Sequence, residues 1–202
     1  MTLQESVPYL LEKDSIFKEI IENWGMPGFP ARPEGFESMC KTILEQQVSL
    51  DSARASFNRL KDFVIDFSPN KIATATDEEI RACGITRQKT IYIKALAEAV
   101  LSGEVDFDSF RHKEPEVVRQ ELIRVKGIGN WTIDVYLMFS LQSPDILPLG
   151  DIGIVSAIRD LTGIEDVGKM AQYAEKWSPY RTTAAFFLWH YYLEKRGRKF
   201  PH

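Results

Sequence analysis

The sequence predicts an all-α protein. Apolar residues recur at three- and four-residue spacing along most of the chain, strand-like alternation is almost absent, and the helical stretches are bounded by capping residues and glycines. Phe36, Cys40, Ile43 and Leu44 share one helical face, and Ala53, Phe57, Leu60 and Val64 repeat the spacing in the next segment. Thr76-Asp77-Glu78-Glu79 is a capping box that opens a short helix ending at Gly84. Ile93, Leu96, Ala97, Val100 and Leu101 line a further helix, which Gly103 terminates. Pro115 suits the first turn of a helix carrying Val118, Leu122 and Val125 inward. Trp131 to Leu141 is apolar nearly all round and predicts a central, buried helix. Beyond the Pro144 to Pro148 loop, a helix from about Asp151 to Thr162 is closed by Gly163 and another ends near Trp177. The last starts at Ser178-Pro179 and stops by Gly197. No repeat, low-complexity tract or long linker divides the chain, so residues 1–202 are read as one helical module with room for two lobes.

A chain of 202 residues allows one domain, or at most two, around a sizeable core. With 44% hydrophobic and 27% charged residues it is neither disordered, collagenous nor a coiled coil. The opening MTLQESVPYLLEKDS is acidic where an export signal carries a basic stretch, and TTAAFFLWHYYL is too short for a membrane span and contains His190. A soluble intracellular protein is expected. Cys40 and Cys83 form neither a disulfide framework nor a CxxC pair, so structural zinc and iron–sulfur clusters are not expected. A net charge of −4 weighs against the basic surface usual in nucleic-acid-binding proteins. That is an average over the chain, and basic clusters remain at Arg124/Lys126, Arg87/Lys89 and Lys195-Arg196-Arg198-Lys199.

The most informative stretch is Leu122-Ile123-Arg124-Val125-Lys126-Gly127-Ile128-Gly129-Asn130-Trp131-Thr132. One helix breaks at Gly-Ile-Gly and another starts at once. Two glycines allow a sharp turn and leave the amides of the new helix's first turn pointing outward. Those amides and the positive end of the helix dipole make an anion site, with Lys126 beside it and Ile128 available to anchor the turn. On its own the run is equally compatible with a plain helix–turn–helix corner.

This run, about residues 122–132, resembles the helix–hairpin–helix DNA-binding element. Leu147-Pro148-Leu149-Gly150-Asp151-Ile152-Gly153 resembles the Gly/Pro-rich loop with an aspartate that follows it in the DNA glycosylases of that superfamily. Ile43-Leu44-Glu45-Gln46-Gln47-Val48-Ser49 and Trp177-Ser178-Pro179-Tyr180-Arg181-Thr182-Thr183-Ala184-Ala185 are similar to the alkylated-base branch, the DNA-3-methyladenine glycosylase II type. Four motifs in the family's order span nearly the whole chain. The resemblance implies two helical lobes with a central cleft, without the extra N-terminal β-domain of longer members.

It also implies roles for particular residues. Bifunctional members carry a Schiff-base lysine two residues after the second hairpin glycine, where this chain has Trp131, so a monofunctional enzyme is implied. An indole stacks well on a flipped, electron-poor or cationic base. Trp189 matches a second pocket tryptophan of the alkylbase branch, although core packing is the commoner use of either residue. Where some relatives have a pocket tyrosine, this chain has Val135, with Tyr136 next. Asp151 matches the catalytic carboxylate; from sequence alone it reads as a helix N-cap, a place where the helix dipole favours a negative charge. Such a charge can stabilise an oxocarbenium-like sugar and direct water. Asp134, Asp145 and Asp160 are the alternatives, read as surface or loop residues, and His112, His190 and His202 lie outside the motifs. Gln46 and Gln47 fall where the family fills the gap left by the extruded nucleotide, with Gln47 at the wedge position. DNA contacts are further implied for Lys126, Gly127, Ile128, Gly129 and Thr132. No cofactor is required by the resemblance, beyond a monovalent cation held in relatives by hairpin carbonyls, here those of Ile123, Val125 and Ile128.

The expected partner is double-stranded DNA containing damaged bases, bound by a monomer in the bacterial cytoplasm or the eukaryotic nucleus, with no membrane involvement. Two rival readings stay open at this point: a glycosylase for a different lesion, and a non-catalytic helix–hairpin–helix DNA-binding module.

Overall fold

A computed structural model describes residues 2–198; Lys199 and His202 of the sequence discussion lie outside the described residues. Among the described residues every regular element is helical, and no helix is long and apolar enough to cross a membrane. In chain order the α-helices are α1 (Val7–Lys13), α2 (Ser15–Trp24), α3 (Phe36–Glu45), α4 (Leu50–Val64), α5 (Pro69–Thr74), α6 (Asp77–Ala82), α7 (Arg87–Leu101), α8 (Pro115–Leu122), α9 (Asn130–Phe139), α10 (Ile152–Thr162), α11 (Val167–Ala174) and α12 (Arg181–Glu194). Short 3-10 turns occupy Gln4–Ser6, Phe107–His112 and Glu175–Trp177. The described residues divide into two compact units, one made of residues 2–31 plus 137–198, the other Arg32–Tyr136.

In the Arg32–Tyr136 unit, α3 packs against α4 and α7, and α5 against α7. Met39, Ile43, Leu60, Ile72, Ile93 and Leu96 are fully buried between them. The caps are local and follow the sequence. Thr76 and Glu79 satisfy each other's backbone amides at the start of α6, and Ser49 and Thr86 cap α4 and α7. Pro115 opens α8, whose Val118 and Leu122 are fully buried. Leu101, expected to face inward, is 48% exposed because α7 ends there and the chain turns away at Ser102-Gly103. In α9 the run Ile133–Phe139 is buried, as its apolar character predicts, although the helix stops two residues short of Leu141.

The other unit is built on α12 packed against α10 and α2. Phe17 meets Trp177 and Phe187 edge-to-face, each at 5.3 Å between ring centres. Helix α12 starts at Arg181, later than the Ser178-Pro179 start predicted from sequence. The cause lies 36 residues away: the Asp145 carboxylate accepts the Arg181 backbone N–H at 3.2 Å and the Ser178 hydroxyl at 2.9 Å, so a loop residue caps this helix from outside.

Asp14 is the other buried anchor of this unit. Its side chain is 5% exposed, caps α2 through Ile16 N–H at 3.4 Å, accepts the Trp177 indole N–H at 2.9 Å and pairs with Lys176 at 2.8 Å. Burial pushes its carboxyl up, yet the Lys176 ammonium and the indole outweigh it and hold the group below its ordinary 3.8. Asp14→Ala should therefore cost about 3 kcal/mol, the sum of a cap and charge-assisted hydrogen bonds, or roughly 6–12 °C in Tm. A depressed carboxylate stabilises above its unfolded pKa and loses that contribution as pH falls through the lowered folded value. The stability gap between wild type and variant, read from urea curves, should be constant near neutrality and shrink below about pH 4.

Candidate functional site

The hairpin occupies the segment between α8 and α9. Gly127 has φ +91°, the left-handed region, and a Cβ there would lie 2.0 Å from Cγ of Tyr92, so the backbone rests directly on the tyrosine ring. Gly129 has neither constraint, with no atom within 4 Å of where its Cβ would stand. Ile128 is 4% exposed and pins the turn into the core, while Arg124, Lys126, Gly129 and Asn130 are at the surface. The amides that open α9 have no intrahelical acceptor, and Gly129 supplies the first carbonyl, to Ile133 N–H at 3.1 Å. Of the basic residues nearby, Lys89 is engaged with the Leu44 carbonyl at 2.7 Å, whereas Arg124 and Lys126 stay outward. Among the described residues no group of three His, Cys, Asp or Glu side chains could hold a metal. The Val125 carbonyl accepts Ile128 N–H at 3.1 Å and keeps a second lone pair, and neutral carbonyl oxygens at a helix break are donors that suit a monovalent cation.

Thr132 of the hairpin run and Gln46 at the end of α3 are placed differently from their sequence reading. Thr132, expected among the DNA contacts, is 2% exposed, because its hydroxyl accepts the Gln46 side-chain amide at 2.8 Å. Gln46, expected in the duplex gap, sends that same nitrogen to the Gly127 carbonyl at 3.0 Å. Gln47 is exposed, with φ +55°. Trp131 is half-buried on the first turn of α9. Val135 and Tyr136 are in the core: Tyr136 packs on Phe107 and Phe110, accepts the Gly35 amide at 2.9 Å, and has its hydroxyl pKa pushed up to about 12 by burial. Asp134 is not a surface residue either. It is 9% exposed and bound to Arg119 at 2.5 Å, with burial raising its carboxyl against that pairing.

In the other unit, Asp151 is the N-cap of α10. Its Oδ1 accepts Gly153 N–H at 2.8 Å, Ile154 N–H at 3.2 Å and the Trp189 indole N–H at 2.9 Å. Gly153 makes room for this: a Cβ there would stand 3.0 Å from Asp151 Oδ1 and 3.3 Å from the Trp189 ring. Trp189 is 8% exposed and enclosed by Phe139 and Phe186, so its ring offers little open face; what it presents is the N–H. The two other aspartates weighed from the sequence are occupied. Asp145 is clamped by Arg181 at 2.7 and 2.8 Å, and although burial pushes its carboxyl up, Arg181 and Ser178 hold it low. Asp160 pairs with Lys195, which takes that lysine out of the C-terminal basic cluster.

Sequence reasoning missed the bonds joining Gln46 to the hairpin and Trp189 to Asp151, and the Tyr92 ring beneath Gly127. No local spacing signals the first two. Gly153, two residues past a candidate carboxylate, was a usable hint that something approaches closely.

Residues 40–180 match the model of the HhH-GPD superfamily base excision DNA repair proteins. The chain is 31% identical over 166 residues to DNA-3-methyladenine glycosylase 1 of Schizosaccharomyces pombe, covering 78% of this chain and 72% of that protein. It is 28% identical over 165 residues to a putative DNA-3-methyladenine glycosylase of Bacillus subtilis, covering 76% of this chain but only 58% of that protein, so it spans little more than half of that relative. A fission-yeast 3-methyladenine DNA glycosylase solved in complex with abasic DNA superposes with a TM-score of 0.82 at 28% identity, over 92% of this chain and 95% of that one.

Proposed function

Because the chain belongs to the HhH-GPD superfamily of base excision DNA repair proteins, we propose that it is a monofunctional DNA glycosylase, which extrudes an alkylated purine from duplex DNA and hydrolyses its N-glycosidic bond. The observation that carries this reading is the Asp151 carboxylate, held through one oxygen by three N–H donors at the start of α10. A group fixed that firmly presents its charge in one direction, which is what stabilising a developing sugar cation requires.

In the reaction the bond between the sugar C1′ and the base nitrogen breaks and its electron pair leaves with the base. A cationic methylpurine departs as a neutral molecule, so no strong general acid is needed. Asp151 stabilises the positive charge left on the sugar, a water adds to C1′, and the water's proton passes to the carboxylate and on to solvent. Trp189 positions Asp151 through its indole N–H. Trp131 stacks on the flipped base, and an indole cannot form a Schiff base, so the strand is left uncut at an abasic site. The amides at Gly129 and Asn130, with Lys126 and Arg124, hold phosphates, and Gln47 enters the vacated stack. A monovalent cation would be held by the carbonyls of Ile123, Val125 and Ile128, adding positive charge beside the phosphates. The protein acts where the genome lies, in the cytoplasm of a bacterium or the nucleus of a eukaryote.

The test is incubation with methylated duplex DNA and chromatography of the released bases. Free methyladenine or methylguanine is expected, with no strand nicking before alkaline treatment. Release of a different lesion only, or of none, would overturn the assignment. A desolvated cation over an indole face is worth about 2 kcal/mol, roughly thirtyfold. Trp131→Ala should accordingly lose more activity on cationic methylpurines than on neutral hypoxanthine, whereas equal losses would reduce Trp131 to packing.

A further inference from the structure

The side-chain amide of Gln46 has two hydrogens, and both are committed. One goes to the Gly127 carbonyl at 3.0 Å and the other to the Thr132 hydroxyl at 2.8 Å, acceptors on either side of the hairpin turn. Gln46 is the C-cap of α3, and the exposed, left-handed Gln47 follows it directly. Helix α7 ties the same two segments together. Lys89 donates to the Leu44 carbonyl at the end of α3, and Tyr92, one turn along the same face, is the ring on which Gly127 rests. The end of α3 and the hairpin, more than eighty residues apart in sequence, are therefore joined directly by Gln46 and through α7 by Lys89 and Tyr92.

We propose that Gln46 is a positioning residue that couples the insertion loop to the phosphate-binding hairpin, so that seating the hairpin on the backbone sets where and how deeply Gln47 enters the duplex. This rests on the glycosylase reading for its consequence, but not for the coupling itself. With both donors spent, Gln46 cannot donate a hydrogen bond to the orphaned base without giving up the hairpin. The physical case for a brace is that extrusion needs two elements placed together, and an error of about an ångström in such placement costs on the order of a hundredfold in rate.

Gln46→Met keeps the length and volume of the side chain and removes both donors. Two neutral hydrogen bonds correspond to a loss of roughly tenfold in the single-turnover rate of base extrusion, followed by 2-aminopurine fluorescence beside the lesion. The loss should be the same whichever base lies opposite, since the residue acts through the hairpin. Hydrogen exchange on the free protein supplies a readout independent of DNA. Gln46→Met should speed exchange across residues 123–132, and Thr132→Val should, reciprocally, speed it across residues 45–50. Thr132→Ser, which keeps the acceptor, should match wild type, and the Gln46→Met/Thr132→Val double variant should be no worse than the more severe single variant. Unchanged hairpin exchange in Gln46→Met, additive single effects, or a loss that depends on the opposing base would each overturn the proposal. If Gln46→Met fails to fold, the Thr132 pair decides alone. A wild-type protein that releases no base yet shows reciprocal exchange would sink the glycosylase reading while leaving the coupling in place.

Discussion

Asp151→Asn should lower single-turnover base release by roughly 10² to 10⁴, or about 3–5 kcal/mol of transition-state stabilisation, while duplex binding survives. The geometry makes this substitution unusually clean. Asparagine caps a helix as well as aspartate does, and its carbonyl oxygen can accept the same Gly153, Ile154 and Trp189 N–H groups that now converge on Asp151 Oδ1. Folding stability should therefore change by well under about 1 kcal/mol, and the lost activity reports the lost charge. The loss should be smallest for bases that leave most readily, because they lean least on the enzyme. A residue that served only as a cap would show near-wild-type release per folded molecule. That result, from saturating-enzyme kinetics beside a denaturation curve, would end the catalytic assignment.

The second large effect separates two glycines that look equivalent in the sequence. Gly127→Ala forces a side chain into a left-handed backbone position and onto the Tyr92 ring, 2.0 Å from the new Cβ. Neither the ring nor the turn can yield cheaply, since Tyr92 lies on a helix packed against α3. The hairpin should open, with duplex affinity falling by on the order of a hundredfold as phosphate contacts are lost. The slope of log affinity against log salt should flatten by about 0.9 for each contact given up. Gly129→Ala meets nothing within 4 Å and should fold as wild type. Any affinity it loses reflects a methyl group standing between the backbone amide and a phosphate. Equal stability for the two variants, measured by thermal denaturation, would contradict this account of the turn.

The helices were legible because their signals are short-range. A capping box at Thr76 and Glu79, a proline opening α8 and an apolar run in α9 act within a turn or two of themselves, and each appears where its spacing places it. The N-terminal pair α1 and α2 was not among the helices expected from sequence, although it carries the same kinds of signal, Pro8 in one first turn and Asp14 capping the other. Where a boundary shifted, as at Arg181, the deciding partner was Asp145, thirty-six residues away.

By itself, then, the sequence determined the all-α class, the hairpin between α8 and α9, the capping position of Asp151 and the absence of a lysine at position 131, all properties of residue type and local spacing. Tertiary structure alone decided what those residues touch. Two glutamines side by side receive opposite fates, Gln46 turned into the hairpin and Gln47 left at the surface, because α3 ends at Glu45 and the backbone turns left-handed at Gln47. Trp189 became the partner of Asp151 through a bond spanning thirty-eight residues, and Asp134 became the buried partner of Arg119. The reason is that a buried polar group must find a hydrogen-bond partner wherever packing brings one, and packing brings together residues that no local pattern relates.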